Sequence, residues 1–118
     1  MAERKARRYS DAVQWFLAFL FTIAVEIPIA GGILSFRRSV SRVWLVILLT
    51  HCISHPTLWF VLLPTLPAGW GGYLAAEAIV WTFEAMVYSV MVKPRDVGRA
   101  VAASVVANAV SFGVGELV

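Results

Sequence analysis

The sequence predicts an all-α fold, a polytopic membrane protein formed as a four-helix transmembrane bundle with short loops. Three observations carry that expectation. Of 118 residues, 60% are hydrophobic and 14% charged, against about 45–50% and about 25% in soluble domains. The Lys and Arg residues stay out of the apolar blocks, which leaves four stretches of about 20 residues, the length of a helix across a hydrocarbon core. Between the stretches lie Pro, Gly or basic clusters, the residues that end helices. Lone strands would leave their backbone unpaired in lipid, so the crossings are helical.

The first span is expected over about 12–35, after Arg4, Lys5, Arg7 and Arg8. Its apolar run is too long for a cleaved signal sequence and carries Glu26 near its middle, so it reads as a retained span. Arg37, Arg38 and Arg42 frame the first connection, and the second span covers about 43–64. The segment Leu63-Pro64-Thr65-Leu66-Pro67-Ala68-Gly69 breaks the chain before a third span at 70–92. Lys93-Pro94-Arg95-Asp96 then leads into a fourth span at 100–118. Connections this short imply antiparallel neighbours within one transmembrane domain, 1–118. Trp15, Trp44 and Trp70 fall near span ends, where an interfacial aromatic belt sits, while Trp59 and Trp81 lie deeper and read as packing residues. In the fourth span Ala103, Ala107, Ser111 and Gly115 recur every four residues beside a row of Ala100, Ser104 and Asn108. That helix is expected to approach its neighbours closely, inside one subunit or in a homo-oligomer.

Orientation is less determined. Basic residues number four before the first span, then three, none and three in the connections, so four simple crossings place four against six. The count mildly favours an external N-terminus, and the N-terminal cluster argues the reverse. Dual insertion, a frustrated topology, or a first segment that turns back at Glu26-Ile27-Pro28-Ile29-Ala30-Gly31-Gly32 all stay open. The expected location is an integral, multi-pass position in a bacterial-type cytoplasmic membrane, with membrane lipid as the immediate partner.

Composition removes several function classes. The positive charge of +3 sits in clusters beside the spans, where it serves topology and head-group contact, so no nucleic-acid partner is expected. One cysteine, Cys52, rules out an internal disulfide or a CxxC redox pair. Ser54 and His55 are adjacent and so diverge by about 100° on a helix, and no GxSxG elbow occurs. Gly69, Gly71 and Gly72 lack the Lys and hydroxyl residue of a phosphate loop.

The informative residues are polar ones at depth. Glu26, His51, His55, Glu77, Glu84 and Asn108 fall within about 6 Å of their helix midpoints at 1.5 Å rise per residue. An ionisable group at the bilayer centre costs about 2.5–3.5 kcal/mol, so several together require mutual pairing, protons, a cation or water, and are expected around one interior cavity. His51 and His55 share a helix face, one turn apart. Glu77 and Glu84 share another but stand about 10 Å apart along the axis, so both cannot directly hold one ion. Tyr88, one turn beyond Glu84, is placed either to donate to it or to pack. Pro28 and Pro56 are expected to free the carbonyls of Ala24 and Cys52 near these groups, or simply to kink their helices.

The candidate proton-relay set is therefore Glu26, Glu77, Glu84 and Asn108, and the candidate metal ligands are His51, His55, Glu26, Glu77 and Glu84. Imidazole nitrogen with carboxylate oxygen suits zinc, manganese or iron. Neither an HExxH zinc motif nor the Glu-x-x-His pair of di-iron bundles is present. The leading expectation is proton- or cation-coupled transport of a small substrate or metal ion. The alternatives are an intramembrane metal-dependent enzyme acting on a lipid or membrane-embedded peptide, and an accessory or assembly subunit whose polar residues meet other membrane subunits. In size, span number and weak charge bias the chain is similar to the small multidrug-resistance transporters, which share a site around a first-helix glutamate. The His pair and the third-span glutamates depart from that pattern, so the similarity covers architecture alone.

Overall fold

The computed structural model describes residues 2–36 and 38–117. Arg37 and Val118, expected in the first connection and at the end of the fourth span, lie outside them. Four helices follow in order: α1 (Ala2–Leu34), α2 (Val40–Thr65), α3 (Trp70–Met91) and α4 (Val97–Leu117). All are long and apolar enough to cross a membrane, which makes the chain multi-pass by length and composition. No strand occurs among the described residues. The helices run up, down, up and down, with α1 against α2 and α4, and α3 against α2 and α4. The result is a closed four-membered ring with principal extents of 54 × 28 × 25 Å.

Helix α1 begins about ten residues before the expected span, because the charged N-terminal segment simply continues the helix. At 33 residues it is about 50 Å long, well beyond a hydrocarbon core of about 30 Å. It also runs unbroken through Pro28 to Leu34. The alternative of a turn back at residues 26–32 is thereby corrected: the helix keeps Pro28 on its exposed side and continues through it without a break. The start of α1, the α2–α3 connection and the end of α4 consequently share one face of the bundle, called here the N-terminal face. The other two connections lie on the opposite, basic face.

The basic face is tied together by arginines. Arg38 donates to the Leu34 and Phe36 carbonyls at 3.4 and 3.0 Å, and to the Pro94 carbonyl of the third connection at 2.5 Å. Arg99 donates to the Ile33 carbonyl at 2.9 Å and lies 4.3 Å from the centre of the Phe36 ring. These side chains satisfy the last carbonyls of α1, where the helix dipole favours positive charge. Asp96 accepts from the Arg99 backbone N–H at 3.0 Å and so caps the start of α4. Arg99→Ala is expected to reduce stability by about 1–2 kcal/mol, read by denaturant unfolding in detergent. An unchanged midpoint would show that the carbonyl is satisfied otherwise.

The N-terminal face is closed by backbone fit instead. Gly69 takes φ +100°, a region that L side chains rarely adopt, and its carbonyl receives the Tyr73 N–H. A Cβ at Gly72 would collide with the Pro67 carbonyl, so the connection folds directly over the first turn of α3. Gly72→Ala is expected to cost about 1–3 kcal/mol by forcing those backbones apart, measured in the same way.

The exterior is apolar, with Leu17, Phe60, Leu74, Met86 and Val101 among its exposed side chains. Hydroxyls there are satisfied locally: Thr57, Thr65 and Thr82 each donate to the carbonyl four residues earlier. The row Ala100, Ser104 and Asn108 is buried, as are Ala103 and Ala107, so α4 uses its small residues against α1 and α3 within the subunit.

Candidate functional site

Four residues, one from each helix, meet inside the ring. Glu26 of α1, His51 of α2, Glu84 of α3 and Asn108 of α4 are all buried. His51 Nε2 lies 2.5 Å from Glu26 Oε2 and 3.7 Å from Glu84 Oε1. The ring's other nitrogen, Nδ1, is 2.9 Å from the Ile47 carbonyl. A carbonyl only accepts, so Nδ1 carries the hydrogen and Nε2 is the atom offered to the carboxylates. Since Nε2 and Oε2 are both heavy atoms with lone pairs, a single hydrogen must sit between them, on whichever side it resides.

Glu84 is held on both oxygens. Ser54 donates to Oε1 at 3.0 Å and Asn108 Nδ2 donates to Oε2 at 2.7 Å. Asn108 is positioned in turn by the Ser104 carbonyl at 2.8 Å, and the Ser104 hydroxyl donates to the Trp81 carbonyl at 2.7 Å, linking α4 to α3. Spacing explains these alignments: Ser54 is three residues after His51, and Ser104 four before Asn108, so each pair shares a helix face. That signal was available in the sequence. Read from sequence, Ser54 is considered only as a nucleophile and Ser104 only as a small packing residue, which misses Ser54 as a donor to Glu84 and Ser104 as the acceptor that positions Asn108.

Two expected residues stand outside the cluster. His55 is buried one turn along α2 among aromatic rings, with centroids 5.9 Å from Trp15, 5.2 Å from Phe19 and 6.1 Å from Trp59. Glu77 accepts from Trp81 Nε1 at 2.9 Å and also hydrogen-bonds Tyr73. Trp15, expected near a span end, lies instead close to the middle of the longer α1 and belongs to an internal aromatic box, with Trp59 packed at its rim. Trp44 and Trp70 are exposed near helix ends, as a belt requires. The Tyr88 hydroxyl does not donate to Glu84; it is buried with no hydrogen-bond partner, and the ring serves packing.

Both outlying residues line a cavity of about 240 Å³ whose deep end is the cluster. Its walls include Ala18 and Phe21 of α1, Leu58 and Leu63 of α2, Tyr73 and Val80 of α3, and Phe112 of α4. Given the antiparallel order, every one of these lies between the cluster and the N-terminal face. Pro56 precedes a π-helical turn at Leu58–Leu62, which widens α2 at the height of the cavity. Between the cluster and the basic face the interior is filled by Ala30, Leu34, Val43, Ile47, Tyr88, Val92, Ala100 and Ala103. The site is thus approached from one face and walled off from the other by roughly two helical turns of packed apolar residues. Compared with known proteins, the chain matches no family model, no curated protein and no solved structure. The likeness to the small multidrug-resistance transporters therefore remains one of size, span number and weak charge bias.

Proposed function

We propose that the chain is a small proton- or cation-coupled transporter of a bacterial-type cytoplasmic membrane, carrying a small substrate or metal ion. The observation that supports this reading is the one-sided cavity. An alternating-access carrier needs a midplane site that opens to one face while a packed layer closes the other, and the Glu26–His51–Glu84 cluster sits at the floor of such a cavity with the apolar layer behind it. The charge arithmetic agrees. Two carboxylates with a neutral imidazole carry −2, and a net charge at the midplane is costly, so the neutral occupants are two protons or one divalent cation. Exchange between those occupants would couple one flux to the other. Glu77, Tyr73 and Asn108 offer polar contacts along the same cavity, which gives an ion or substrate intermediate positions on the way in.

Membrane lipid is the neighbour we assign to the exterior. A homo-oligomer or other membrane subunits would have to use that exterior, because the small-residue face of α4 is consumed within the subunit. Native mass in detergent separates a single copy from a dimer or a mixed complex.

The test of transport is flux. Purified chain in proteoliposomes is expected to drive accumulation of a divalent cation or cationic substrate under an imposed proton gradient, with protons moving in the opposite direction. Liposomes containing folded protein that match empty ones, across proton gradients of both signs and a panel of such substrates, would refute the reading.

A further inference from the structure

We infer that Glu26, His51 and Glu84 are the three protein ligands of a site for one divalent transition-metal ion of the zinc, manganese or iron class. The assignment concerns binding and goes beyond the transport reading without depending on it. One ligand atom from each residue lies within 4.8 Å of the others. Metal–ligand bonds of about 2.0–2.2 Å give tetrahedral ligand separations of about 3.4 Å, so shifts of an ångström or so, within side-chain reach, seat the ion.

Three further observations point to a ligand here. Glu26 is 1% exposed, and its Oε1 is buried with no hydrogen-bond partner. A carboxylate oxygen in that condition has lost its water and gained nothing, which a cation would correct. His51 is oriented by donation from Nδ1 to the Ile47 carbonyl, the way outer groups fix a metal-binding imidazole and leave Nε2 as donor atom. Glu84 keeps a lone pair available although Ser54 and Asn108 both donate to it, because each carboxylate oxygen accepts twice. These two neighbours hold its plane toward His51.

The donor chemistry selects the class. One imidazole and two carboxylates with an open position toward the cavity match borderline cations that accept four ligands, water being the fourth. Calcium asks for six or more oxygens and magnesium for a near-octahedral oxygen shell, more than this cluster supplies. Soft ions ask for thiolate or thioether, and Cys52, Met86 and Met91 are all exposed on the outer surface. A divalent ion also cancels the charge of the two carboxylates.

The geometry separates this set from the wider one that the sequence suggested. His55 is enclosed by aromatic rings and Glu77 is engaged by Trp81 and Tyr73, so neither shares the ion in this arrangement.

The test titrates full-length chain in nanodiscs with Co²⁺ as spectroscopic probe and with Zn²⁺ by equilibrium dialysis and metal quantification. Expected are one ion per chain, a visible cobalt absorption of low-coordinate N/O type displaced by zinc, and a loss of affinity of at least tenfold in Glu84→Gln and Glu26→Gln. Both changes keep side-chain shape, so they remain readable if His51→Ala fails to fold. Asn108→Ala is expected to weaken binding about 10–100-fold, as loss of an outer-shell partner does. Cys52→Ala is expected to leave binding alone. Glu77→Gln is decisive for the ligand set: affinity within threefold of wild type supports three ligands, whereas loss of stoichiometric binding overturns the assignment. So does folded wild-type chain that takes up no cobalt or zinc. That failure leaves the flux test of the transporter standing, and stoichiometric binding without flux does the reverse.

Discussion

Glu84→Gln is expected to reduce coupled flux in proteoliposomes by about 10–100-fold, the loss that corresponds to removing about 1.4–2.8 kcal/mol from a charge-assisted interaction. The substitution keeps the volume of the side chain and leaves an oxygen to accept from Ser54 or Asn108. It removes the charge that faces His51 Nε2 at 3.7 Å. Folding should therefore survive while the exchange between protons and cation does not. Glu26→Gln is expected to act in the same direction, since Glu26 is the carboxylate sharing a hydrogen with His51. Glu77→Gln is expected to have a smaller effect, of a few fold, because Glu77 stands along the approach and not at the cluster. A Glu84→Gln protein with wild-type flux would remove the cluster from the transport cycle.

Asn108→Leu is expected to lower stability as strongly as Gly72→Ala. Asn108 donates to both Glu84 Oε2 and the Ser104 carbonyl, joining the α3 carboxylate to α4. Leucine fills a similar volume but leaves a buried carboxylate oxygen without its donor, at a cost of about 1–3 kcal/mol. Unfolding in detergent should show that loss. If it arises from the stranded carboxylate, the double variant Glu84→Gln/Asn108→Leu will be less destabilised than the sum of the two single changes. Strict additivity would mean that the two residues stabilise the bundle independently.

The helical bundle was legible because its physics is one-dimensional. Uninterrupted apolar length, basic flanks and Pro or Gly breakers need no knowledge of which helix touches which, and all four crossings lie within a few residues of the expected spans apart from the early start of α1. Depth was legible for the same reason: Glu26, His51, Glu84 and Asn108 were placed near midpoints by counting along their own helices. What counting could not supply is azimuth. Nothing in the spacing of His51 and His55 says that the first turns toward two carboxylates and the second into a box of Trp15, Phe19 and Trp59. Glu77 and Glu84 share a face in sequence, and it is the axial register of α4 against α3 that brings Asn108 to Glu84. The arginine ties were hidden differently. Arg38 and Arg99 look like topology signals, and their second use, completing the last carbonyls of α1, depends on where the third connection folds.

Those ties make the molecule mechanically lopsided. Arg38 and Arg99 rivet the α1 terminus to the third connection and to α4 at one end, and small residues interlock just beneath them. At the other end the helix tips enclose the cavity, and among the described residues fewer polar links join them. The bundle is therefore shaped like tweezers, with a stiff pivot at the arginine-rich end and free jaws at the other. Amide exchange should record a gradient along every helix, slowest near Leu34, Val43 and Val92 and fastest near Ala18, Leu63 and Phe112.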